Sequence, residues 1–155
     1  MQSQAGVTLL EALIFMTILS VIMLAIVYAT TISLKRTQFN QHKIFATRYM
    51  EEAQEWVRGE KEVNWTIFLN RAPGTYCMND DISTCSDAGT CWSEPTACAG
   101  TDYSLGSTGG IQNGYSRSIV LTSTGSSVGA VTTVSWKDGP NIFNVTSNTS
   151  FSRWE

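Results

Sequence analysis

GVTLLEALIFMTILSVIMLAIVYATTISL, residues 6–34, decides how the rest of the chain is read. It carries one charge, Glu11, and residues 12–34 contain no charged residue, no Gly and no Pro. A helix of about 20 apolar residues crosses the hydrocarbon core of a bilayer, so this run is long enough to span one. A secretory signal has a basic n-region and an apolar core of about 7–15 residues. Here the preceding MQSQAG, ending at Gly6, holds neither Lys nor Arg, and the apolar run is longer. A buried core helix fits no better, because 155 residues with 43% hydrophobic content can hardly wrap it. The expectation is a single-pass membrane helix, with a plain signal anchor as the competing reading.

Glu11 separates the two. A carboxylate within an apolar helix costs about 2.5–3.5 kcal/mol on insertion scales, so an intramembrane acid points to a function. Gly6-Val7-Thr8-Leu9-Leu10-Glu11, followed at once by the apolar helix, resembles the class III signal of type IV pilins and pseudopilins, commonly G-F-T-L-I-E. The resemblance implies cleavage between Gly6 and Val7 by a prepilin peptidase and methylation of the freed amine of Val7. It implies that Glu11 is the assembly residue, meeting the N-terminal amine of a neighbouring subunit. It also implies an inner-membrane precursor with a cytoplasmic leader, later moved into a periplasmic or extracellular filament. The partners would be membrane lipid, the peptidase, an inner-membrane assembly platform and other pilin subunits. Two features depart from the pattern. Val7 stands where Phe is usual, and the leader lacks a basic residue while Lys35, Arg36, Lys43 and Arg48 follow the span. The positive-inside tendency alone would keep the C-terminal part cytoplasmic. Either the start lies upstream with a basic leader, or insertion follows the motif and its machinery. The cysteines favour the exported side.

Helical periodicity continues past the span. Phe39, Ala46, Tyr49, Met50, Ala53, Trp56 and Val57 recur at three- and four-residue steps, with Lys35, Arg36, Gln38, Asn40, Gln41, Lys43, Glu51, Glu52 and Glu55 as the wet face. Gly59 sits where a helix C-cap belongs. A helix from about Thr8 to Arg58 would measure roughly 75 Å, and only its first half fits a bilayer. Glu51, Glu52 and Glu55 read as a solvated face, with Arg48 one turn from Glu52, rather than as acid–base carboxylates. The single histidine, His42, has no nucleophile near it in sequence and reads as a packing or surface residue.

Residues 59–76 leave the helix, and Trp65, Ile67 and Phe68 are expected to tuck this connection against the body. The run EEAQEWVRGEKEVNWTIF (51–68), with Tyr76-Cys77 after it, resembles minor pilins of the PilV-like sort, which implies an accessory subunit. Cys77, Cys85, Cys91 and Cys98 cluster after the anchor. In a short exported domain such a set reads as disulfides, with three pairings open, and the spacing gives no zinc motif. Residues 77–114 are too polar to form a core alone, and cross-links would limit their freedom. Asn79-Asp80-Asp81 with Asp87 offers oxygen ligands for Ca²⁺ but lacks EF-hand spacing, so no metal or other cofactor is assigned.

From Tyr115 the period changes to two. SRSIVLTS (116–123), AVTTVSW (130–136) and NIFNVT (141–146) are β-branched and aromatic runs, and Lys137-Asp138-Gly139-Pro140 is turn chemistry joining the last two. A three- or four-stranded antiparallel sheet with one apolar face needs a cover, which the helix can supply. Trp154 near the tail is expected to pack back as an anchor. The Asn64, Asn144 and Asn148 triplets match N-x-S/T but read as chance in a Ser/Thr-rich chain.

The chain thus reads as α+β and type IV pilin-like. Residues 1–6 form a leader, 7–34 an apolar transmembrane and filament-core half-helix, and 35–59 an amphipathic half. Residues 60–155 form a β domain with a Cys-bearing loop at 77–98. A net charge of −3 with 15% charged residues gives no electrostatic footprint for nucleic acid. There is no phosphate-cradling Gly motif and no catalytic set that one histidine could serve, so an enzyme is not expected. The leading reading is a structural, minor subunit of a type IV pilus or related filament. The alternatives are a pseudopilin of type II secretion or DNA uptake, and a signal-anchored binding domain.

Overall fold

The computed structural model of the chain describes residues 8–79, 82, 92, 103–106 and 114–153. Helix α1 covers Leu9–Val63 and is followed by a short helix α2 at Trp65–Asn70. Four strands come next: β1 at Gly74–Cys77, β2 at Tyr115–Ser123, β3 at Ser127–Asp138 and β4 at Asn141–Ser152. They form one antiparallel sheet in the order β1-β2-β3-β4. The chain divides into two compact units, Met1–Asn40 and Gln41–Glu155. The architecture is α+β, with helix on one face of an antiparallel sheet, as the periodicities predict.

In the second unit the part of α1 from Gln41 onward packs on the sheet. Ala46, Ala53 and Val57 stand seven and four residues apart, so they share one helix face, and all three are buried. Two of the three are alanines, which lets the helix approach the strands closely. The facing side of the sheet comes from alternate residues. On β3 these are Val128, Ala130, Thr132, Val134 and Trp136, and on β2 they are Tyr115, Arg117, Ile119 and Leu121. Burying a Val, Leu, Ile or Phe side chain contributes about 1.5–3 kcal/mol, so this layer carries much of the domain's stability. Phe68 from α2 closes it, meeting Phe151 edge-on at 5.7 Å. Trp92 meets both Trp56, at 5.0 Å, and Tyr76, at 4.7 Å.

The structure corrects several boundaries. Gly59 does not end α1, which runs on to Val63. A helical Gly costs about 1 kcal/mol against Ala, and here it lies on an exposed stretch among good helix formers, Arg58, Glu60, Lys61 and Glu62. The break comes at Asn64, whose extended backbone (φ −155°, ψ 101°) leaves the helical region. Its side-chain oxygen accepts the Ile67 N–H at 3.1 Å, capping α2. The exit segment is therefore helical in part, with Phe68 buried, Trp65 half-buried and Ile67 exposed. Strand β4 extends six residues beyond the run read from sequence, to Ser152, and β1 is an additional strand. The hairpin turn narrows to Gly139-Pro140, where the positive φ of 60° at Gly139 suits a residue without a side chain. Trp154 lies outside the described residues.

Candidate assembly site

The first unit, taken by itself, is a helix with an open surface. Leu9, Leu24 and Tyr28 are 84%, 70% and 71% exposed, and large apolar side chains recur around the helix from Leu9 to Val27. An 18-residue window of α1 has a mean hydropathy of 2.6 with none of it buried, so by length and composition this helix can cross a membrane. Several of its hydroxyls bond locally. Thr17 donates to the Ile14 carbonyl at 2.7 Å, Ser20 to Met16 at 2.8 Å, and Thr31 to Val27 at 2.8 Å. Bonds back to the preceding turn let Ser and Thr sit in hydrocarbon without an orphaned polar group.

Glu11 differs, since a charge has no such local remedy. It is the third helical residue after Thr8. The Glu11 N–H donates to Thr8 Oγ1 at 3.3 Å and the Ala12 N–H to the Thr8 carbonyl at 3.1 Å. The arrangement T-x-x-E is that of a capping box, and it sets the carboxylate at the positive end of the helix dipole. Glu11, Ala12, Phe15 and Met16 line a shallow depression of about 340 Å³. Within about a turn and a half of helix an acid and an apolar hollow thus lie side by side. Gly6 and Val7, the expected processing pair, lie outside the described residues.

Residues 1–27 match the family described as the prokaryotic N-terminal methylation motif. The N-terminal part of the chain is therefore prepilin-like, with an apolar helix that fits anchoring in an inner membrane. The motif belongs to structural subunits rather than enzymes, and its general partners are a prepilin peptidase and other pilin subunits. No curated protein and no solved structure matches the chain at a significant level.

The prepilin-like helix carries a second polar cluster, within the unit Gln41–Glu155. Arg117 sits on the inward side of β2 with a fully buried side chain. Its Nε donates to the Met78 carbonyl at 2.7 Å, and its Nη1 to the Tyr49 carbonyl at 2.9 Å and to Glu52 Oε2 at 3.0 Å. Its backbone N–H donates to Asn79 Oδ1 at 2.7 Å. One guanidinium so ties α1, β2 and the residues after β1. The carboxylates of α1 also fall into place here: Glu52 serves Arg117 rather than Arg48, Glu55 pairs with Arg58 at 2.8 Å, and Glu51 is exposed. Sequence reading missed Arg117, although it shares the parity of Tyr115, Ile119 and Leu121 along β2, and that parity marks it as inward.

His42 Nδ1 lies 2.9 Å from the Tyr115 hydroxyl, so the histidine is a packing residue with a partner. Burial, with Tyr49 nearby adding to it, pushes the Tyr115 hydroxyl from 10.0 up to about 12. A raised folded-state value means that stability from this group is intact below pH 10 and lost between about pH 10 and 12, as only the unfolded chain ionises. Denaturant unfolding across that range should show wild type losing more stability than Tyr115→Phe, which has no hydroxyl to ionise.

Cys77 is buried and disulfide-bonded. Cys85, Cys91 and Cys98 lie outside the described residues, as do Asp80, Asp81 and Asp87. Among the described residues no group of three or more His, Cys, Asp or Glu is placed to hold a metal ion.

Proposed function

We propose that the protein is a minor subunit of a type IV pilus or a closely related filament. It is made as a membrane precursor with residues 1–6 cytoplasmic and residues 35–155 outside. A prepilin peptidase cuts between Gly6 and Val7 and methylates the new amine. The apolar half-helix then leaves lipid for the filament core, where Glu11 meets the amine of Val7 on a neighbouring subunit. The observation that carries this reading is the methylation motif over residues 1–27 running directly into an exposed, membrane-length helix. The accessory role rests on the likeness of residues 51–68 to PilV-like minor pilins.

The reading fits the energetics. In lipid the apolar surface of α1 is already out of water, so helix exchange between lipid and filament is nearly balanced in hydrophobic terms. A carboxylate–ammonium contact then decides the direction, because neither charge has water to return to.

The test is the intact mass and N-terminal residue of the chain in sheared surface filaments and in membranes. The expected result is a chain beginning at N-methylated Val7 in the filament fraction. A chain retaining Met1 and found only in membranes would overturn the proposal in favour of an anchored binding domain.

A further inference from the structure

Strand β4 is an open edge of the sheet. In the order β1-β2-β3-β4 its strand neighbour is β3, and its twelve residues pair in unbroken register from Asp138↔Asn141 to Ser127↔Ser152. Proteins ordinarily blunt an edge with a short strand, a bulge, a Pro or a charged side chain, because its unpaired N–H and C=O groups template pairing with another chain. The opposite edge, β1, is four residues long. Strand β4 uses none of these devices. It is long, has no bulge, and from Asn141 to Ser152 contains no charged residue and no Pro.

The open groups follow from the turn. Gly139-Pro140 joins the strands as a two-residue loop, which makes Asp138 and Asn141 a hydrogen-bonded pair, and such pairs recur at every second residue. Phe143, Val145, Ser147 and Thr149 therefore turn their backbone groups to β3. Ile142, Asn144, Thr146, Asn148 and Ser150 turn theirs to the open side, where no described residue bonds to them. The hydroxyls of Thr133 and Thr146, 3.3 Å apart, fit this phase, because side chains stand closer in the non-hydrogen-bonded pairs. On the face towards α1, Phe143, Val145, Ser147 and Thr149 are only half-buried, whereas the matching row on β3 is buried. The covering layer thus thins out at β4.

We infer that β4 receives an extended strand from a protein of different sequence, a neighbouring subunit in the filament. An extended backbone presents donors and acceptors at the two-residue repeat that this edge offers, and pockets for alternate side chains then set specificity. The fitting strand carries apolar residues beside Phe143 and Val145 and small polar ones beside Ser147 and Thr149. It has no charge on that face, where one would lose water without gaining a partner. The partner is unlike this chain because an accessory subunit is surrounded by other sequences, and to that extent the inference rests on the filament reading above.

The test is amide hydrogen exchange, resolved to single residues by mass spectrometry, on the full chain alone in detergent and in sheared filaments. In filaments the Ile142, Asn144, Thr146, Asn148 and Ser150 amides should exchange at least about tenfold more slowly. Phe143, Val145, Ser147 and Thr149, already paired to β3, should change little. Equal rates in the two samples, or slowing without that alternation, would overturn strand addition. Slowing in detergent that grows with protein concentration would overturn the unlike partner in favour of two copies joined edge to edge. Thr146→Pro removes one outward N–H without breaking a bond to β3. It should lower the ratio of chain in filaments to chain in membranes roughly fivefold, the worth of about one hydrogen bond. Thr146→Ala keeps the N–H and should assemble like wild type; a deficit equal to that of the Pro variant would place the contact in the side chain and overturn backbone pairing. The wild-type exchange pattern decides the matter even if the Pro variant does not fold. N-terminal mass separates the two readings. A filament chain beginning at Val7 without the alternation removes this contact alone, whereas a wild-type chain that is uncleaved and confined to membranes removes the filament reading and this contact with it.

Discussion

Glu11→Val is expected to abolish most filament incorporation while leaving the chain in the membrane. Removing the carboxylate relieves the helix of about 3 kcal/mol of insertion penalty, so membrane levels should hold or rise. Losing one partner of a desolvated charge pair costs about 2–5 kcal/mol, and even 2 kcal/mol is roughly thirtyfold in an equilibrium. The measurement is the ratio of chain in sheared filaments to chain in membranes, with cleavage before Val7 followed by mass. Glu11→Gln separates two roles. It keeps a side chain able to complete the capping box with Thr8, but it loses the charge. If Gln behaves like Val, the charge is what assembly requires. If Gln assembles like wild type, the carboxylate acts as a helix cap and polar contact, and the amine-pairing role is wrong.

Much of this was legible in the chain itself, for reasons that differ by region. The span and Glu11 are visible because a membrane imposes length and polarity rules that need no tertiary information. Strands β2 and β3 are visible because 116–123 and 130–136 are runs rich in β-branched and aromatic residues bounded by turn residues, and their burial alternates along the strand. The far half of β4 is hidden for the opposite reason. As an edge strand lined with Ser, Thr and Asn, its residues from Ser147 to Ser150 carry no apolar alternation. Its register comes from pairing with β3, and Gln54 Nε2 on α1 donates to Ser147 Oγ at 2.6 Å and Thr149 Oγ1 at 3.2 Å. Strand β1 is four residues long and gains its conformation from pairing with β2, which sequence cannot announce. At Gly59 the local rule for a helix stop was outweighed by good helix formers on both sides and by the stronger signal of Asn64.

The second large effect is on stability and falls on Arg117. Arg117→Ala should destabilise the unit Gln41–Glu155 by about 3–5 kcal/mol, the range for breaking a buried charged network by removing one member. The loss has three physical parts. The buried Met78 carbonyl forfeits its charged donor, a cavity opens beneath β2, and Glu52 loses its partner. The third part is the smallest, because the Glu52 side chain is 43% exposed and water can take over its solvation. Glu52→Gln should accordingly cost no more than about 1 kcal/mol, as for other partly exposed pairs. The check is denaturant unfolding of the detergent-solubilised full chain, followed by tryptophan fluorescence, since Trp136 is buried on the same sheet face as Arg117. A small effect of Arg117→Ala would mean that the helix and sheet are held by the apolar layer alone. A Glu52→Gln loss as large as that of Arg117→Ala would put the energy in the ion pair instead of the carbonyl bonds. The expected ordering, with Arg117 far above Glu52, follows from burial: the same hydrogen bond matters at the end that water cannot reach and little at the end that it can.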